Sequence, residues 1–98
     1  MPFSEIVGIW DAFPESGIPK DETFRQYTFK ENGAFICHTA RSNKQVQLLE
    51  GTFKLDKEKV RFFYGKGKFT SSYHYRLDGD WLLFKNEHLE MRLRKHIG

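Results

Sequence analysis

Apolar and polar residues alternate with a period of two through most of this chain, and turn-forming residues interrupt the alternation about every eight to twelve positions. Successive side chains of an extended strand point to opposite faces, so this pattern specifies half-buried strands joined by short hairpins, as in an all-β sandwich or barrel. A helical period of 3.6 is nowhere sustained, although residues 3–10 have room for one helical turn. Composition agrees with the pattern. Aromatic residues make up 16% of the chain, ten of them phenylalanine, and such side chains favour strands and bury large areas.

Eight strands can be traced in order. The first spans Glu5–Phe13 and leads into "PESGIPKD", the one long connection. "TFRQYTFK" and "AFICHTAR" follow, joined by a hairpin in which Asn32-Gly33 suits positive φ. In "QVQLLEGTFKL" the alternation changes phase: Val46 and Leu48 keep one parity, while Leu49, Gly51, Phe53 and Leu55 keep the other. That slip predicts a β-bulge or a bend at Gly51. "VRFFYGK", "FTSSYHYRL", "WLLFK" and "HLEMRLRK" complete the set. Without internal repeats, linkers or low-complexity tracts, residues 1–98 read as one domain. Sequential antiparallel strands leave two exposed edges unless the sheet closes, so the expected architecture is an eight-stranded antiparallel up-and-down barrel. The interior of such a barrel is filled by side chains or holds one small ligand, and side chains this large tilt the balance toward filling.

Several stretches together resemble the small bacterial lipocalin-like (calycin) domains: Gly8-x-Trp10 on the first strand, then "YTFKENGAF", "GTFKLDKEKVRF" and "YRLDGDWLLF", then a final alternating strand. The resemblance runs in order along nearly the whole chain. It implies a structural role for Gly8 and Trp10, with the tryptophan packing across the closed end and the glycine letting backbones approach. It also implies that the loop Pro14–Asp21 overhangs the open mouth.

The charge balance narrows the function classes. Sixteen basic and thirteen acidic residues give a net charge of only +3, which describes a solvated surface better than a polyanion binder. Nucleic acid is therefore not an expected partner. No apolar run approaches the roughly 20 residues of a membrane span, so no membrane is expected either. The single cysteine, Cys37, excludes an internal disulfide. A cytoplasmic location is expected, on the premise that no signal peptide preceded the sequence as given.

The four histidines, at positions 38, 74, 88 and 96, are scattered without metal-ligand spacing, and Cys37 and His38 face opposite sides of one strand. No Ser-His-Asp arrangement, phosphate loop or carboxylate pair supports catalysis, so the reading leans away from an enzyme and expects no cofactor and no metal. The expected function is non-covalent binding of a small, partly apolar ligand at the open end. Tyr27, Phe62, Tyr64, Tyr73, Tyr75 and Arg76 are the candidate contacts, with tyrosines and Arg76 orienting any polar end. The alternative is a protein-interaction or homodimerising module that uses an outer basic-aromatic face formed by Arg61, Phe63 and Trp81.

Overall fold

The computed structural model describes residues 6–96. Eight strands follow one another: β1 (Gly8–Ala12), β2 (Glu22–Phe29), β3 (Ala34–Arg41), β4 (Val46–Asp56), β5 (Lys59–Tyr64), β6 (Phe69–Asp78), β7 (Trp81–Lys85) and β8 (Glu90–Lys95). Each pairs with its neighbour, and β1 pairs with β8, so the sheet closes into an antiparallel barrel. The first strand is shorter than the expected Glu5–Phe13, and Glu5 lies outside the described residues. A 3-10 turn at Pro14–Ser16 is the only helical element among the described residues, and none of them forms a helix long and apolar enough to cross a membrane.

The antiparallel order defines two ends. Gly8, Phe29, Ala34, Asp56 and Trp81 lie at one, and Ala12, Glu22, Arg41, Tyr64 and Lys85 at the other. The first end is closed. The Trp10 indole N–H donates to the Ile6 carbonyl oxygen at 2.9 Å, and both residues are buried. Beyond them the rings of Phe29, Phe53, Phe62 and Phe84 interlock, with Phe29–Phe53 centroids 4.9 Å apart at 68°. Offset and edge-on geometries of this kind are preferred between aromatic rings. Gly8 adopts φ +134°, which L side chains rarely reach, and no described residue would lie within 4 Å of a Cβ placed there. Its conformation explains the glycine, and close backbone approach does not.

The phase slip in β4 has a different origin from the expected bulge. The β3–β4 and β4–β5 registers run from Ala40↔Val46 to Asp56↔Lys59 with Gly51 in sequence on both sides. Leu49, Gly51, Phe53 and Leu55 keep one unbroken inward parity, while Val46 and Leu48 point outward and are exposed. Hydrophobicity at those two positions simulated a change of face. Gly51 is still required, because a Cβ there would sit 2.0 Å from the Phe63 carbonyl oxygen and 2.9 Å from the Phe35 ring. The one register shift instead lies in β2, between Glu22 and Phe24. Phe69, expected to face in, pairs with the inward Tyr64 but stands at the rim and is 58% exposed.

The Gly51→Ala variant is expected to lose about 1–3 kcal/mol of stability through overpacking against a strand backbone that cannot retreat. Thermal unfolding measures this, at roughly 4–8 °C per kcal/mol for a chain of this size. An unchanged midpoint would show that the β4–β5 approach is looser than the geometry requires.

Candidate functional site

The packed interior stops at Phe62. Its ring touches Tyr27, Phe29, Phe35, Tyr73 and Phe84, with centroid separations from 4.8 to 6.0 Å. On its far side, toward the end holding Arg41 and Tyr64, lies a cavity of about 200 Å³. Phe35, Phe62 and Leu49 give it apolar walls, and Tyr27, Cys37, Thr39, Tyr64, Ser71 and Tyr73 supply hydroxyls and a thiol. Arg25, Arg41 and Gln47 complete it. The barrel is thus filled at its closed half and hollow at its mouth.

Four of the six candidate ligand contacts, Tyr27, Phe62, Tyr64 and Tyr73, meet in this cavity. Two do not. Arg76 is exposed on the outer face, and half-buried Tyr75 lies nearer the closed end; both border a separate hollow with Leu83, Lys85 and Glu90. The parity of β6 alone separates Arg76 from Tyr73. The Pro14–Asp21 connection is at the mouth end, but none of its residues lines the cavity. It folds onto the β2 and β8 side instead, where Ser16 and Ile18 are buried and Ile18 joins the core.

The residue the sequence reading passed over is Arg25. It shares the parity of Tyr27 and Phe29, so the alternation already placed it inside. The bulge after Glu22 brings the two side chains together although they are three residues apart. Arg25 donates from Nε to Glu22 Oε1 at 2.8 Å and from NH2 to Glu22 Oε2 at 2.6 Å, a bidentate pair. Its NH1 donates to the Tyr27 hydroxyl at 3.1 Å and approaches Met91 Sδ at 3.6 Å. Burial works against the Arg25 charge, but the bonds to Glu22 outweigh it and the guanidinium is held more firmly protonated than usual. At the rim Arg41 pairs with Asp21 and donates to Gln47 at 2.9 Å.

Burial favours the neutral form of three further groups of the cavity. Burial pushes the Tyr27 phenol well above its usual range, with Cys37 adding to the shift and Arg25 opposing it. Burial likewise raises Tyr73 and the Cys37 thiol, again against the pull of Arg25. A buried thiol with a raised pKa is a poor nucleophile. Tyr64 and Ser71 hydroxyls bond to each other at 3.0 Å, and Cys37 Sγ lies 3.8 Å from Thr39 Oγ1. Among the described residues no group of three or more His, Cys, Asp or Glu side chains is placed to hold a metal ion.

The proposed outer face divides. Phe63 is half-buried under the Lys54 ammonium, 5.9 Å from its ring centre, with exposed Arg61 on the same strand. The guanidinium groups of Arg92 and Arg94 both lie over the Trp81 ring, 5.7 and 5.8 Å from its centroid. Phe63 pairs with Thr70 and Trp81 with Asp78 on β6, so the two aromatics sit at opposite ends of that strand, on the order of 25 Å apart.

Breaking the Arg25–Glu22 pair tests the architecture of the mouth. Arg25→Met is expected to cost about 3–5 kcal/mol because it leaves a buried carboxylate alone, while Arg25→Met combined with Glu22→Leu recovers most of the loss. Denaturant unfolding of the single and double variants checks this. Equal loss in both would mean that packing, and not charge, holds the bulge.

Comparison with protein-family models and with curated proteins finds no match. Solved structures do match. A protein from Bacteroides uniformis studied by NMR superposes with a TM-score of 0.74 at 20% identity, over 96% of this chain and 91% of that one. A lipocalin-like protein from the same species gives 0.67 at 13% identity, over 94% and 99%. An uncharacterized protein from Bacteroides eggerthii gives 0.65 at 15% identity, over 92% and 98%. At these identities the likeness is one of fold: this chain shares the closed eight-stranded barrel fold of a lipocalin-like protein.

Proposed function

We propose that this protein binds a small, partly apolar ligand non-covalently in the cavity at its mouth. One observation carries the reading: Arg25, Tyr27, Tyr64 and Tyr73 converge on a recess whose apolar wall is Phe35, Leu49 and Phe62, with Cys37, Thr39, Arg41, Gln47 and Ser71 completing it. A hollow in which placed polar groups face an apolar wall can both bury and orient a ligand, although this one is more polar than the usual ligand site. The volume of about 200 Å³ lies below the roughly 300–1,000 Å³ of sites for drug-sized molecules, so the ligand is small. Its apolar part packs on Phe62, and its polar end is a hydrogen-bond acceptor turned toward Arg25 and the phenols. The neutral phenols of Tyr27 and Tyr73 and an unreactive thiol support burial and hydrogen bonding as the whole of the chemistry.

Titration of ¹⁵N-labelled protein with benzoate and with benzyl alcohol tests this reading. Amide shifts are expected at Cys37, Thr39, Ser71 and Tyr73, with benzoate the tighter of the two because its carboxylate meets the Arg25 guanidinium. No shift at these positions from either compound at millimolar concentration sinks the proposal.

A second reading, an interaction or homodimerising surface, is favoured by Trp81 alone, which is 38% exposed with two arginines over its ring. Aromatic and arginine side chains are enriched at interface centres. Arg61 and Phe63 are too far away to belong to the same compact patch. Size-exclusion chromatography of the wild type against Trp81→Asp distinguishes the outcomes: a wild-type dimer that the variant breaks supports self-association, and identical monomers refute it.

A further inference from the structure

A second concavity lies outside the barrel wall, beside β6, and its volume of about 460 Å³ exceeds that of the mouth cavity. Lys59, His74, Lys85 and His88 line it together with Ser72 and Asn86. Three of these basic residues form a continuous row, because Lys59 pairs with His74 on β5–β6 and His74 pairs with Lys85 on β6–β7. Directly paired residues hold their Cβ atoms about 4.5–5.5 Å apart, so the two lysines flank His74 closely.

No described carboxylate closes a salt bridge to this row, although Asp56 and Glu58 share an adjoining hollow with Lys59 and His74. Asp56 pairs with Lys59 at one end and Glu90 with Lys85 at the other, yet neither carboxylate closes a salt bridge to its lysine. The salt bridges among the described residues are Arg25–Glu22, Arg41–Asp21 and His96–Asp11, all elsewhere. Glu87 is the one acidic residue lining the hollow, against two lysines and two histidines. The sequence is equally one-sided: from Lys59 through Leu77 there is no aspartate or glutamate.

We propose that this groove binds the phosphate group of a small phosphate monoester. Lys59 and Lys85 flank the phosphate as point charges, His74 lies between them, and Ser72 and the Asn86 amide offer neutral hydrogen bonds. The volume falls within the range of small-molecule sites, which leaves room for an organic group beside the phosphate. Tyr73 lines both this groove and the mouth cavity, so the barrel wall at this point of β6 separates them. The two sites are otherwise built from different residues, and either proposal can fail without the other.

The test is an amide-shift titration of the full chain with inorganic phosphate, phenyl phosphate and a thymidine oligonucleotide. Shifts are expected at Ser72, His74, Asn86 and His88, with phenyl phosphate binding more tightly than inorganic phosphate and binding weakened by added salt. Lys59→Gln with Lys85→Gln is expected to lower affinity by about tenfold or more. Lys44→Gln with Lys66→Gln, at the two hairpin tips, leaves it unchanged. All four substitutions are on the surface, and the spectra themselves report whether each variant is folded. Shifts spread evenly over lysine-bearing turns, or a Lys59/Lys85 variant that binds as the wild type does, overturn the site. An oligonucleotide that binds the groove more tightly than phenyl phosphate overturns the small-molecule assignment.

Discussion

The contact of Phe62 with five other aromatic rings divides this barrel into a solid half and a hollow one. A closed eight-stranded sheet has an interior of nearly fixed width, and its content depends on side-chain volume along each strand. Toward the closed end, Phe29, Phe53 and Phe84 fill that width and the Trp10 indole bonds to the carbonyl of Ile6, four residues before it. Toward the mouth, the inward positions pass to Cys37, Thr39, Leu49 and Ser71, which are smaller, and the space is left open. Phe62 therefore serves as both the last layer of core and the floor of the cavity.

The mouth depends on a bulge. A regular strand would send Glu22 and Arg25 to opposite faces, and the Arg25 guanidinium would enter an apolar interior without its counter-charge. The irregularity between Glu22 and Phe24 places the carboxylate where it receives two bonds from Arg25. The price of burying the pair is offset by satisfying nearly every donor, since NH1 also reaches the Tyr27 hydroxyl. Bulges commonly re-aim a side chain beside a functional site, and this one re-aims an ion pair.

Much of the fold was legible because strand parity is a local property. Tyr27, Phe29, Phe35, Phe53, Met91 and Leu93 read as inward from alternation alone, and all are buried. Where the reading failed, hydrophobicity was mistaken for burial. Val46 and Leu48 are apolar and exposed, so the phase slip they suggested is a run of exposed apolar side chains on a regular strand. The site was legible in part for a related reason. Tyr64 and Tyr73 share an inward parity and a position near the mouth, whereas Arg76 carried the right chemistry on the wrong face. Arg25 had the right parity, but an arginine in an inward position is discounted until its partner is known, and that partner is brought near only by the bulge.

By itself the sequence determined that this chain forms eight antiparallel strands and which face of most strands is buried, because a period of two and turn residues act over a few positions. Tertiary structure alone decided how far the aromatic packing extends, that Arg61 and Phe63 are far from Trp81, and that Lys59, His74 and Lys85 stand in one row. Those outcomes depend on register between strands separated in sequence. Alternation sets the face of a residue, and only closure of the sheet sets its neighbours.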